Sequence, residues 1–101
     1  MADFVKVATV ADIPLGQGKL VDLNGRQVAV FNCDGTLYAI DNLCKHKGGP
    51  LVEGAIDGTT VTCPWHGWAY DLTSGQCLED DESHVERFVV RVDGDDVLLR
   101  V

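Results

Sequence analysis

Two short boxes of cysteine and histidine constrain this chain more than anything else in it. Cys44-Lys45-His46 and Cys63-Pro64-Trp65-His66 each hold a thiol and an imidazole a few residues apart, and sixteen residues, 47 to 62, separate them. Thiolate sulfur and imidazole nitrogen both donate lone pairs to borderline-soft metals, so two of each can complete a tetrahedral site or an iron–sulfur site. Glycine follows both boxes, as Gly48-Gly49-Pro50 and as Gly67, and lets backbone N–H groups approach whatever the ligands hold. Zinc is the competing occupant. A zinc finger, however, usually pairs Cys with Cys and His with His, the His pair lying on a helix. Here each box is mixed, and its prolines and glycines predict loop.

The pattern Cys-x-His, sixteen residues, Cys-Pro-x-His-Gly is similar to the cluster-binding signature of Rieske-type [2Fe-2S] proteins. The flanks carry the resemblance further, with Gly49-Pro50-Leu51 after the first box and Tyr70-Asp71-Leu72-Thr73-Ser74-Gly75 after the second; it is strongest from Leu43 to Gly75. The resemblance implies one [2Fe-2S] cluster per chain, with Cys44 and Cys63 on one iron and His46 and His66 on the other. It also implies that Pro50 braces the first loop over the cluster. Two ferric ions, two sulfides and two thiolates sum to zero charge, so an added electron is accepted more easily than by an all-cysteine cluster. The outer imidazole nitrogens offer an electron path and can exchange protons.

One branch of the family, in respiratory complexes, carries a membrane anchor and an extra cysteine in each box. Gly49 or its neighbours and Trp65 stand at those places here, so the ferredoxin branch fits better. No apolar run approaches membrane-spanning length, and Met1-Ala2-Asp3-Phe4-Val5-Lys6 lacks a signal-peptide layout. The expectation is a soluble, cytoplasmic monomer. The net charge of −8 argues against nucleic acid or an anionic membrane as partner. That charge is uneven: Glu79, Asp80, Asp81 and Glu82 form one run, expected to be a solvated loop, while Lys45 and Lys47 flank the first box.

The 101 residues are expected to form a single domain. Strands are predicted at Phe4 to Thr9, Gly18 to Leu23, Arg26 to Asn32 and Thr36 to Asp41, with one short helical turn before Pro14. Asn24-Gly25 and Asp34-Gly35 mark the turns between the middle strands. Cluster-binding loops follow at about 42–52 and 63–69. Between them, two short runs, Gly54 to Ile56 and Thr59 to Thr62, flank a turn at Asp57-Gly58. Ala69 to Leu72 is expected to pair, Thr73-Ser74-Gly75 to turn, and Arg87 to Val92 with Asp96 to Val101 to form the last hairpin. Many short strands at this spacing predict an all-β antiparallel sandwich or barrel. The resemblance implies the Rieske fold, in which a small subdomain carries the cluster on two loops.

Cys33 and Cys77 lie outside the boxes and are expected to be small semi-buried residues, and His84 a solvated one. Trp65 and Trp68 flank His66, and at least one of them is expected to shield the cluster or meet a partner. The docking tip is expected at Lys45, Lys47, Pro50 and Trp65. In high-potential relatives a serine and a tyrosine after the second box donate hydrogen bonds to cluster sulfurs. Trp68 stands at the serine's place, so that bond is absent, while Tyr70 keeps the tyrosine's. Tyr70 either donates to a ligand thiolate or packs with its hydroxyl in water. The resemblance implies an electron carrier, not an enzyme, between a flavoprotein reductase and a terminal ring-hydroxylating oxygenase. The small subunit of an assimilatory nitrite reductase is the alternative. The purified protein should hold two irons and two labile sulfides, and Cys44→Ser or Cys63→Ser should each abolish the visible absorption of the cluster. Zinc without sulfide in metal analysis would contradict this reading.

Overall fold

A computed structural model describes residues 3–42, 50–65, 67–80 and 82–100. Ten strands follow in chain order: β1 (Phe4–Thr9), β2 (Gly18–Leu23), β3 (Arg26–Cys33), β4 (Thr36–Asp41), β5 (Ala55–Asp57), β6 (Thr60–Thr62), β7 (Ala69–Asp71), β8 (Arg87–Phe88), β9 (Val90–Asp93) and β10 (Asp96–Arg100). They make three antiparallel sheets, ordered β1-β10-β9, β2-β3-β4-β8 and β5-β6-β7. The all-β antiparallel expectation holds. No helix among the described residues is long and apolar enough to cross a membrane.

The turns of the middle sheet form where the sequence puts them. Asn24 and Gly25 take φ of 52° and 86°, and Asp34 and Gly35 take 56° and 95°. Two successive positive φ values give a turn whose twist matches that of the flanking strands, and Asn, Asp and Gly tolerate that conformation best. These turns fix the register of β3 against both neighbours, Leu23 opposite Arg26 and Cys33 opposite Thr36.

Register then decides burial. From Val28 to Cys33 every residue of β3 is buried. Because side chains alternate across a strand, Val28 and Val30 pack with Ala39, Val97 and Leu99, while Ala29, Phe31 and Cys33 pack on the opposite side with Ile40, Leu51 and Tyr70. The middle sheet thus has a core on each face, one shared with the β1-β10-β9 sheet and one with the β5-β6-β7 sheet. Asn32, the polar residue in this run, is satisfied: its Nδ2 donates to the Ile13 carbonyl at 2.8 Å and its Oδ1 accepts from Gly35 N–H at 2.9 Å. Burial of a side chain the size of Phe31 contributes about 1.5–3 kcal/mol.

Three details differ from the sequence expectation. The stretch from Arg87 to Val92 is two strands in two sheets: β8 pairs with β4, and β9 with β10. Val89 sits at the crossing, 47% exposed, its carbonyl accepting from Arg100 N–H at 3.1 Å. Phe88-Val89-Val90 is apolar throughout, so alternation carries no mark of the crossing. The turn between β5 and β6 lies one residue later, at Gly58-Thr59, because Asp57 pairs with Thr60. A 3₁₀ turn at Leu51–Glu53 ends the first loop, where plain loop was expected.

Gly75 closes the turn after β7 with φ of 80°, and a Cβ there would lie 2.3 Å from the Val85 carbonyl oxygen. Gly75→Ala should therefore destabilise the fold by about 1–3 kcal/mol from backbone strain alone, with the clash added. Gly25→Ala, at φ of 86° with open space around it, should cost less. Denaturant midpoints of the two variants check this order.

Candidate metal centre

The first loop is closed at its base by one side chain. Asn42 directly follows β4 and is only 3% exposed. Its Oδ1 accepts from Val52 N–H at 2.8 Å, its carbonyl accepts from Leu51 N–H at 2.7 Å, and its own N–H donates to the Gln27 carbonyl at 3.1 Å. Entry and exit of the loop are thereby tied to each other and to β3. Half-buried Pro50 precedes the 3₁₀ turn at Leu51–Glu53, where Leu51 is fully buried.

The second loop closes on itself. Cys63 N–H donates to the Trp68 carbonyl at 2.7 Å, and Gly67 N–H donates back to the Cys63 carbonyl at 3.1 Å. Cys63 is 1% exposed at the root of the loop, whereas Trp65 is 57% exposed. The two tryptophans part company here, since Trp68 packs on the core that holds Phe31 and Tyr70. β7 begins directly after Trp68, at Ala69, where the sequence places the start of a paired strand.

Of the predicted site residues, the structure describes Cys63, Pro50, Trp65, Trp68 and Tyr70. Cys44, Lys45, His46, Lys47 and His66 lie outside the described residues. The described ones converge: Leu51 beside Pro50, Cys63 and Tyr70 belong to one core cluster, and Trp68 packs against it. The feet of both loops thus meet at one place, which fits a cluster held between two Cys/His boxes. Among the described residues no three His, Cys, Asp or Glu side chains gather as a competing metal site. A groove of about 290 Å³ lined by Leu23, Arg26 and Phe88 touches none of the predicted site residues that the structure describes.

Tyr70 is fully buried. No buried side-chain nitrogen or oxygen among the described residues lacks a hydrogen-bond partner. Cys33 and Cys77 are more enclosed than expected, at 7% and 1% exposure, and burial pushes the Cys33 thiol up from its ordinary pKa. His84 is exposed, as expected, opposite Gln76.

The described residues of the acidic run lie in a loop with Glu79 and Glu82 exposed, as expected, and hydrogen bonds hold that loop in place. Gln76 Nε2 donates to the carbonyls of Cys77, Asp80 and Ser83 at 3.1, 3.2 and 3.0 Å. Asp80 accepts from Ser83 Oγ and Glu82 N–H, which hold its carboxyl below the usual range. Asp71 is lowered in the same way by the hydroxyl and N–H of Thr73. A composition of four acids in a row carries no sign of these bonds; Gln76 and Ser83, placed to clasp Asp80, were the residues to notice.

An all-β fold whose two loop feet converge under mixed Cys/His boxes defines a small iron–sulfur domain. The chain belongs to the Rieske [2Fe-2S] domain family, whose model matches residues 3–94, and it therefore binds a [2Fe-2S] cluster. It is 28% identical over 100 residues to the ferredoxin component of the naphthalene 1,2-dioxygenase/salicylate 5-hydroxylase systems of a Ralstonia species, covering 98% of this chain and 96% of that one. It superposes with a TM-score of 0.86 and 28% identity on a chain of the complex of reduced oxygenase and oxidized ferredoxin in carbazole 1,9a-dioxygenase, covering 95% and 91%. A protein assigned as the small subunit of an NADH-dependent nitrite reductase from Mycobacterium tuberculosis matches with a TM-score of 0.91 and 25% identity, covering 100% and 96%.

Asn42→Ala should remove the brace under the first loop and leave the half-buried Val52 N–H without its acceptor. The expected cost is about 1–3 kcal/mol, together with faster loss of the cluster. Urea denaturation and the decay of visible absorption under a chelator measure the two effects separately.

Proposed function

We propose that this chain is a one-electron carrier that receives electrons from a flavoprotein reductase and delivers them to a terminal ring-hydroxylating oxygenase. Cys44 and Cys63 would hold one iron and His46 and His66 the other; the [2Fe-2S] cluster supplies a centre that accepts a single added electron. The observation that carries the reading is the contrast across the second loop: Cys63 is closed off from water at its root, while Pro64, Trp65 and Gly67 are exposed around it. A buried ligand keeps solvent from the sulfur. An exposed aromatic beside it gives a partner an apolar anchor close to the electron's exit.

Tyr70, buried in the same cluster of side chains as Cys63, is the candidate hydrogen-bond donor to a ligand thiolate. Such a bond offsets negative charge on sulfur and stabilises the extra electron. Lys45 and Lys47 would steer the tip toward acidic surface on a partner. The ferredoxin relatives named above support the oxygenase as acceptor, and the absence of cysteine at Gly49 and Trp65 fits the same branch. The nitrite reductase reading rests on the full-length match to the Mycobacterium tuberculosis subunit; delivery of electrons to a sirohaem enzyme and not to an oxygenase would favour it.

In stopped-flow mixing with a terminal oxygenase, Trp65→Ala should weaken transfer about tenfold, the effect of losing one anchor residue worth ~1.4 kcal/mol. Iron and sulfide content should stay unchanged. An unaltered rate with intact cluster would remove Trp65 from the docking tip.

A further inference from the structure

One peptide group of the second loop is held at both ends. The Trp68 carbonyl accepts from Cys63 N–H at 2.7 Å. On the other side of the same peptide, Ala69 N–H donates to Glu79 Oε2, also at 2.7 Å. The three groups form a chain: carboxylate, peptide, Cys63 amide. Hydrogen bonds to a carboxylate are shorter and about twice as strong as those between neutral groups. They also polarise the amide that donates them, which makes its carbonyl a better acceptor for the next bond. Ala69 is fixed a second time where its carbonyl accepts from Leu78 N–H at 2.8 Å.

Glu79 is itself held by the folded loop around it. Gln76 gathers the carbonyls of Cys77, Asp80 and Ser83, and Cys77 N–H donates to the Ser83 carbonyl at 3.0 Å. The carboxylate therefore stands on a braced segment, aimed at the exit of the ligand-bearing loop. β6 pairs Thr62 with Ala69 on the opposite edge of β7, so the sheet leaves that N–H for another acceptor, and any carbonyl could have served. A carboxylate adds charge to the same bond.

We propose that Glu79 is a positioning residue for the second loop and that its charge, carried to Cys63 through the Trp68–Ala69 peptide, disfavours the reduced cluster. This rests on Cys63 being a ligand. The sign follows from Coulomb's law: reduction adds one negative charge, and a fixed negative charge nearby opposes it. Because Glu79 is exposed, salt weakens the effect.

Glu79→Gln tests it, since it keeps an oxygen acceptor for Ala69 N–H and removes the charge. Glu82→Gln is the control, the same change at an exposed residue of the same run. A redox titration of holoprotein should give Glu79→Gln a higher midpoint potential than wild type, by clearly more than Glu82→Gln, with the gap narrowing at high salt. Glu79→Ala should in addition shorten the cluster's lifetime under a chelator several-fold. Equal midpoints for Glu79→Gln and Glu82→Gln, or an unchanged lifetime in Glu79→Ala, would overturn the proposal. If Glu79→Ala does not fold, the Gln pair decides. Failure of the ligand assignment shows separately, as a cluster retained in Cys63→Ser.

Discussion

Strand β3 has no solvent face along most of its length, and the architecture follows from that. A strand buried on both sides must find a layer for each, and the odd and even residues from Val28 to Cys33 supply two unconnected apolar surfaces. One surface takes the sheet built from the ends of the chain. The other takes the small sheet β5-β6-β7 and, with it, the feet of the two loops. Phe31 stands on the same side as Leu51, Cys63 and Tyr70. The hydrophobic free energy that holds the middle sheet together therefore also sets where the loops converge. The site is positioned by packing first and by ligands second.

Hydrogen bonds then convert a meeting place into a defined geometry. Asn42 gathers both strands of the first loop. Cys63 and Trp68 shut the second, and Glu79 fastens it from outside. Each bond sits at the base of a loop, not at its tip. Fixing the base removes most of the chain entropy that ligands would otherwise have to overcome, since the cost of closing a loop depends on how freely its ends can separate. Trp65 stands exposed in the second loop, and Trp68 packs half-buried against the core. Two identical residues three positions apart thus have different environments.

Local rules made the middle sheet readable. Asn24-Gly25 and Asp34-Gly35 demand positive φ, and that demand fixes a hairpin without any knowledge of the rest of the molecule. The two boxes were equally plain, because few chemistries need two thiols and two imidazoles at such spacing; of the four, the structure describes Cys63. The features that escaped depend on distant partners. Nothing near Asn42 shows that its amide will meet Val52, ten residues on. Nothing in Phe88-Val89-Val90 says that the chain changes sheets there. The acidic run is the solvated loop its charge suggests, but charge is silent about which of its oxygens accept bonds. Its order comes from Gln76, a neutral residue that composition alone does not single out.

In the β1-β10-β9 sheet the central strand β10 pairs on one side with β9, its neighbour in sequence, and on the other with β1, from the opposite end of the described chain. In chain order β10 comes after both Cys/His boxes, both hairpins of the middle sheet and all of β5-β6-β7. Until Asp96–Arg100 is in place, Val28, Val30 and Ala39 lack the covering that Val97 and Leu99 give them. Non-local strand pairing of this kind is slow to form and leaves apolar surface open meanwhile. The core under the loops is built from residues between Ala29 and Val85, whereas the other is complete only once β1 and β10, far apart in the chain, have met.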